Sequence, residues 1–238
     1  MLLKIVNVVT FLAMVFTNYL ANALPINDKT TGQLSAQYPN LFVPAGFTFS
    51  IWGIIYLLLT IFVVIQFFEN NKPVVRAIGW AFALSSLFNT LWIVAWHYER
   101  LPLSVLIMLG LLVCLVYIGL QIRTLPVGII KAAFGIYLGW ISIATIANIT
   151  ALLVNYQWGG WGISDQNWTI ILIAAGLIIA ALTMIRVNNP FLGIAVIWAF
   201  AGIVANRAGS HPAIVTAAFI AIALMTLFTV AVFLKRFN

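Results

Sequence analysis

Acidic side chains are almost missing from this sequence: Asp28, Glu69, Glu99 and Asp165 are the only four in 238 residues. Charged residues of both signs reach 6%, where soluble domains carry roughly a quarter. A soluble fold could not cover its surface with that supply, so most of the chain must be solvated by lipid. Cysteine is scarce too. Cys114 stands alone in an apolar run, which excludes an intrachain disulfide and leaves the redox compartment unread. The short alternating segments of a membrane barrel are absent. So are a cluster of metal-ligating residues, a glycine-rich phosphate loop, and a Ser/His/Asp set that could assemble without loop residues. No Asp, Glu, Lys, Arg or His lies deep within an apolar run. Such groups mark proton relays and ion-coupled carriers, so their absence weighs against a pump, a voltage sensor or a carboxylate-based membrane enzyme.

What the sequence does have is oil, with 64% hydrophobic residues and a mean hydropathy of +1.14. Charged and polar residues divide it into eight apolar segments, near 3–22, 45–68, 77–97, 101–122, 129–154, 167–185, 190–206 and 212–234. Most have the roughly 20 residues a spanning helix needs, and lipid allows such runs no other backbone solution. The expectation is an all-α integral membrane protein with eight transmembrane helices. Prolines 102, 126, 190 and 212 fall where first helical turns are expected, and there the missing N–H costs nothing. Two connectors are long, 24–43 and 155–166, and both carry aromatics and glycine.

The net charge of +7 comes from single basic residues between the runs, which reads as topology signalling rather than nucleic-acid binding. With the N-terminus inside, Lys4, Lys72, Arg76, Arg123, Lys131, Arg186, Lys235 and Arg236 share one side, against Lys29, Arg100 and Arg207. This places both termini in the cytoplasm of a plasma or inner membrane, with His97 and His211 outside. The opening segment carries Lys4, an apolar stretch and Ala21-Asn22-Ala23, the elements of a cleavable signal. It is long for one, and is expected to stay as the first helix. The loop pair His97 and Glu99 reads as a solvated corner.

Aromatic and amide residues recur inside the runs at helical spacing. Phe49, Trp52 and Tyr56 lie at i, i+3 and i+7, as do Asn89, Trp92 and Trp96. Tyr137, Trp140, Ala144, Ala147 and Asn148 form a third stripe. Small residues that let helices approach, and amides bonding between them, would explain part of this. Trp158, Trp161 and Trp168 suit an interfacial belt. Trp52, Trp92 and Trp140 sit deeper, where an indole and a polar partner on each of three helices would line a cavity for a flat apolar ligand. Trp198, Gly202, Ala205 and Asn206 echo the offsets of Trp140, Ala144, Ala147 and Asn148, and WAFA occurs at both 80–83 and 198–201. Chance or a partial duplication would each produce that echo.

On these residues the chain resembles the tryptophan-rich sensory protein family, which includes TspO and the mitochondrial translocator protein. The family pattern P-Y-L-x-W-x-x-x-A-x-x-x-N is matched by Tyr137, Leu138, Trp140, Ala144 and Asn148, with Ile136 in place of proline. Its N-x-x-W is matched by Asn89 and Trp92. Its proline- and aromatic-rich stretch before the second helix is matched loosely by Pro44, Phe47, Phe49, Trp52 and Tyr56. Ala45 stands where the family usually has a second proline, and Phe47 replaces a tryptophan. The interval from Phe49 to Trp52 is one residue short. Tyr156 is followed by no basic residue, so the sterol-recognition pattern of animal members is unsupported.

The resemblance covers residues 1–155, and implies a five-helix core there with a three-helix extension over 156–238. It also implies a receptor or translocator that binds a planar hydrophobic ligand, such as a porphyrin or haem-type tetrapyrrole. The ligand would lie between Trp52, Trp92 and Trp140 under a 24–43 lid, with Asn89 and Asn148 orienting it. No cofactor or metal is required, and a homodimer stays open. A permease for a small apolar or amphipathic solute remains an alternative. So does an enzyme acting oxidatively on porphyrin, since bacterial relatives are associated with light-dependent porphyrin breakdown.

Overall fold

A computed structural model of the chain describes residues 1–24 and 26–235. Pro25 of the long connector and Arg236 of the charge count lie outside the described residues. Among the described residues are ten α-helices and no strand. The chain begins with α1 (Leu2–Ala23), and the short α2 (Thr31–Gln37) lies in the first connector. A single 3₁₀ turn at Gly46–Ser50 runs straight into α3 (Ile51–Ile65). Then come α4 (Lys72–Ile78), α5 (Ala81–His97), α6 (Leu101–Gln121) and α7 (Ile129–Asn155). The chain finishes with α8 (Asp165–Val187), α9 (Phe191–Arg207) and α10 (Pro212–Leu234).

Six of these segments are long and apolar enough to cross a bilayer: α1, the run Gly46–Ile65, α6, α7, α8 and α10. The third apolar segment is not one helix. Gly79, at φ +56 and ψ −137, takes a backbone conformation suited to glycine, and the chain bends by 62° between α4 and α5. Counted as one span, that pair makes a seventh. With 17 residues, α9 falls short of the length required. The eight apolar runs thus correspond to eight helical segments, but the expected eight full-length spans reduce to six or seven by length and composition. Pro102 and Pro212 stand in first turns as expected, whereas Pro190 is the N-cap of α9 and Pro126 stays in the turn before α7.

Each helix turns one stripe inward. On α1 it is Asn7, Phe11, Met14, Asn18 and Ala21, while Leu12 and Phe16 point out to what would be lipid. An amide facing apolar neighbours must find a partner. Asn7 Nδ2 donates to Gln66 Oε1 at 3.0 Å, and Asn18 Nδ2 donates to Asn89 Oδ1 at 2.8 Å, which ties α1 to α3 and α5. The most enclosed helix is α7, buried on nearly every side in its first half. Gly135 and Gly139, four apart, let α9 come close: a Cβ at Gly139 would strike the Leu192 carbonyl, and one at Gly135 would stand 2.6 Å from Asn189 Oδ1. The last three helices therefore join the same bundle. Phe62, Phe82 and Phe134 meet edge-on, with centroids 4.9–5.9 Å apart, and plug one end of it.

Contacts between helix ends sort the connectors into two groups. At the end near Met1, Gln66 Nε2 donates to Lys4 O at 3.3 Å, and the buried Lys131 Nζ donates to Arg123 O and Asn188 O, each at 2.8 Å. Lys131 thereby offsets the negative carboxyl ends of α6 and α8. At the other end, Asn27 Nδ2 donates to His97 O at 3.1 Å and Arg207 reaches the 40–43 segment. Successive long helices alternate in direction. The two basic groups counted from the sequence, without Arg236, lie at opposite ends of the bundle.

Candidate functional site

On α7, Trp140, Ala144, Ala147 and Asn148 share one face, and that face opens on a cavity of about 60 Å³. Trp92 and Trp96 of α5 form the facing wall and Trp52 of α3 a third side. Pro44 and Phe49 roof it, together with Thr31 and Ser35 of α2. The rings interlock. Trp92 stacks on Trp96 at 6.0 Å, Trp52 on Tyr56 at 5.5 Å, and Phe49 and Trp52 present themselves edge-on to Trp140 at 6.0 and 6.3 Å. Such offset and edge geometries suit aromatic quadrupoles, and leave ring faces and edges for another flat molecule.

The polar groups divide into two kinds. Asn148 Oδ1 accepts from Trp92 Nε1 at 3.0 Å, and its Nδ2 donates to Ser104 Oγ at 3.0 Å. Ser104 in turn donates to Leu101 O at 2.8 Å. This node is fully engaged and holds Trp92 in place. By contrast, Trp96 Nε1, Trp140 Nε1 and Thr31 Oγ1 are buried beside the cavity with no hydrogen-bond partner. A buried N–H without an acceptor costs roughly 1–3 kcal/mol. The cavity is thus apolar, ring-walled and supplied with donors that an acceptor-bearing guest would satisfy.

Of the residues singled out from the sequence, Pro44, Phe49, Trp52, Trp92, Trp140, Ala144 and Asn148 line this space. Tyr56 lines an adjoining groove of about 300 Å³ between α1 and α3, which shares Thr31, Phe49 and Trp52 with the cavity. Asn89 and Tyr137 lie behind the wall, wholly buried. Asn89 Nδ2 donates to Tyr137 Oη at 2.9 Å while its Oδ1 accepts from Asn18, a knot joining α1, α5 and α7. Phe47 points away, half exposed and edge-on to Trp198 at 5.5 Å. Sequence reasoning missed Thr31, Ser35 and Asn40. The available signal was Thr30-x-x-Gln33, which closes as a capping box and starts α2.

The lid is fastened on two sides. Toward α5, Lys29 Nζ pairs with Glu99 Oε1 at 2.8 Å, and Tyr38 Oη donates to Glu99 Oε2 at 3.1 Å. The Lys29 hydrogen bond holds the Glu99 carboxyl below its usual range. Burial opposes this and the Tyr38 bond adds to it. Tyr38 is pushed up to about 12, first by burial and then by the neighbouring carboxylate. Toward α9, Arg207 Nε donates to Leu41 O at 3.0 Å and Nη2 to Asn40 O at 2.9 Å. Asn206 Nδ2 donates to Val43 O and Trp198 Nε1 to Thr48 O, both at 2.9 Å. A Cβ on Gly202 would stand 2.8 Å from Pro44 Cβ. The echo of the α7 stripe on α9 therefore grips the opposite side of the segment that roofs the cavity. Among the described residues, no group of three His, Cys, Asp or Glu could hold a metal.

The family described as TSPO-like protein matches over residues 4–231. The chain belongs to that family. The match continues past residue 155 and takes in the helices that form the α9 side of the lid. No curated protein and no solved structure matches the chain. In this TSPO-like chain the alanine found where the resemblance expects a second proline has a physical use. Ala45 N donates to Gly202 O of α9 at 2.9 Å, a bond that proline, lacking an N–H, could not make.

Proposed function

We propose that this TSPO-like membrane protein is a receptor or translocator for a planar hydrophobic ligand, with a porphyrin the leading candidate. The observation that carries the reading is the set of four indoles around one cavity, two of them with buried and unpartnered N–H groups. Porphyrin carboxylates are acceptors, and the macrocycle is flat. Ligand sites occupy about 300–1,000 Å³, so 60 Å³ is a closed state with no room for a porphyrin. Binding therefore requires the 40–49 segment to lift. That movement would join the cavity to the 300 Å³ groove and to an outer vestibule of about 670 Å³ bordered by Asp165, Asn206 and Arg207.

We also propose that all eight long helical segments cross the bilayer, with both termini cytoplasmic. With 17 residues, α9 is only about 25 Å long. It is shielded by α7, α8 and α10 and need not match the hydrocarbon thickness by itself.

The deciding experiment is a titration of protoporphyrin into the full chain in nanodiscs, read by quenching of tryptophan fluorescence. Saturable quenching is expected, with affinity about tenfold lower in Trp140→Phe, which keeps a ring and loses the N–H. Quenching no greater than in empty nanodiscs, or unaltered by Trp140→Phe, would remove porphyrin from this cavity. One-sided addition to sealed vesicles then separates a receptor from a carrier, and porphyrin absorbance lost under light and oxygen faster than in empty nanodiscs reveals an oxidative activity.

A further inference from the structure

A second open space lies on the lipid-facing side of the bundle, where α6 and α8 run in the same direction to the end near Met1. At that end the two helices touch: a Cβ on Gly119 would stand 2.9 Å from Val187 Cγ1. Along the face they part into a groove of about 720 Å³, walled by Val116 and Leu120 on one side and Leu182 and Ile185 on the other. Leu182 and Ile185 are 63% and 57% exposed, a width of bare aliphatic surface that suits acyl chains. Arg123 and Arg186 border the same groove at its polar mouth. No acidic side chain lines it.

We infer that this groove binds an anionic phospholipid, with its tails against the aliphatic walls and its phosphate between Arg123 and Arg186. The surrounding charge favours that sign. Glu69 is the single acidic residue described at this end, and it is paired with Lys72. Lys4, Arg76, Lys131 and Lys235 add positive potential. The carboxyl ends of α6 and α8 would by themselves repel an anion. Lys131 Nζ already sits on Arg123 O and Asn188 O, offsets those ends and pins both chain turns beside the mouth. Basic pockets between spanning helices are a recurrent way of holding acidic headgroups, and guanidinium groups match phosphate geometry better than ammonium groups do. The groove lies at the opposite end from the tryptophan cavity, so it is a separate site.

The test uses the full chain in nanodiscs of mixed phosphatidylglycerol and phosphatidylcholine, with lipids retained after gentle release counted by native mass spectrometry. Wild type should keep phosphatidylglycerol preferentially. In Arg123→Gln/Arg186→Gln retention should fall by about tenfold. In Lys72→Gln/Arg76→Gln, which removes the same charge at the same end, it should stay within about twofold. If the first double variant does not fold, Arg186→Gln alone and Leu182→Trp, which narrows the groove with its charges intact, should each lower retention by at least threefold or so. Equal losses in the two double variants would reduce the effect to diffuse electrostatics and overturn the site. So would absence of preference in wild type, displacement by millimolar inorganic phosphate, or recovery of a lipid-free dimer that covers the groove.

Discussion

Replacing Asn148 with leucine removes the acceptor of Trp92 Nε1 and the donor to Ser104 Oγ in one step. The sequence alone suggests a mild cost, since an interhelical bond in a membrane is worth about 0.6–2 kcal/mol. With Trp92 N–H left buried and unpaired, the expected loss is nearer 2 kcal/mol, seen as a lowered melting temperature in detergent. Porphyrin affinity should fall about tenfold in the same variant. Asn89→Leu should destabilise to a similar extent by breaking the Asn18–Asn89–Tyr137 knot, yet keep affinity within about twofold. An equal loss of binding in Asn89→Leu would extend the site toward α1. Helical spacing was enough to place Trp92, Trp140, Ala144 and Asn148 on cavity-facing stripes, because a 3.6-residue period needs no knowledge of neighbours. It could not separate the two asparagines. Each looks like an amide beside a tryptophan, and only the residues opposite, Ser104 for one and Asn18 with Tyr137 for the other, decide their roles. Asn206, the counterpart of Asn148 in the α9 echo, holds Val43 O, so its replacement is no neutral control for Asn148→Leu.

Helix α9 and the α5 corner grip the lid by different chemistry, and they should release it under different conditions. Ala45 has φ −61, which already suits proline, so Ala45→Pro isolates the bond to Gly202 O. Amide exchange over 40–48 should accelerate by about tenfold in that variant and more in Arg207→Gln, which loses bonds to Leu41 O and Asn40 O. Unaltered exchange in both would show that the lid is held by packing alone. The Lys29–Glu99–Tyr38 latch is ionic. Because the Glu99 carboxyl is lowered in the folded state, its contribution is present above the ordinary carboxylate value of 4.5 and is lost as pH falls through the lowered one. Tyr38, raised to about 12, contributes fully below its usual 10.0 and stops as pH rises through 12. Tyr38 lies 6.0 Å from Trp96. In wild type, quenching of tryptophan fluorescence by acrylamide should therefore hold steady from pH 7 down to 4.5 and increase only as pH falls below that value, and in Glu99→Gln it should change little. The latch was invisible in the sequence, where His97 and Glu99 read as a solvated corner, because its partners sit 61–70 residues away.

At the level of the whole molecule, the long helices were legible because hydropathy is a property of a segment and its solvent, with no partner needed. The shortness of α9 was legible as well, in the short apolar run 190–206, whereas the bend at Gly79 was not, since it depends on how one helix is sheltered by others. Reporters fused in the 188–190 and 208–211 connectors should report opposite sides of the membrane, with the C-terminus sharing the side of 188–190. Finding both connectors on one side would make α9 a re-entrant element and return the chain to seven spans. The way α9 holds the lid has a consequence for how this protein can change over generations. Arg207, Asn206 and Trp198 all bond to carbonyl oxygens of the lid, and every amino acid carries that oxygen. The grip is blind to the lid's own letters. Mutational drift at Asn40, Leu41, Val43 and Thr48 is thereby uncoupled from these α9 bonds, although not from the Lys29–Glu99–Tyr38 latch or the Ala45 N–H. A saturation scan selected for lid closure should accordingly accept many substitutions at Leu41 and few at Arg207, and the reverse pattern would mean that side chains, after all, are being read.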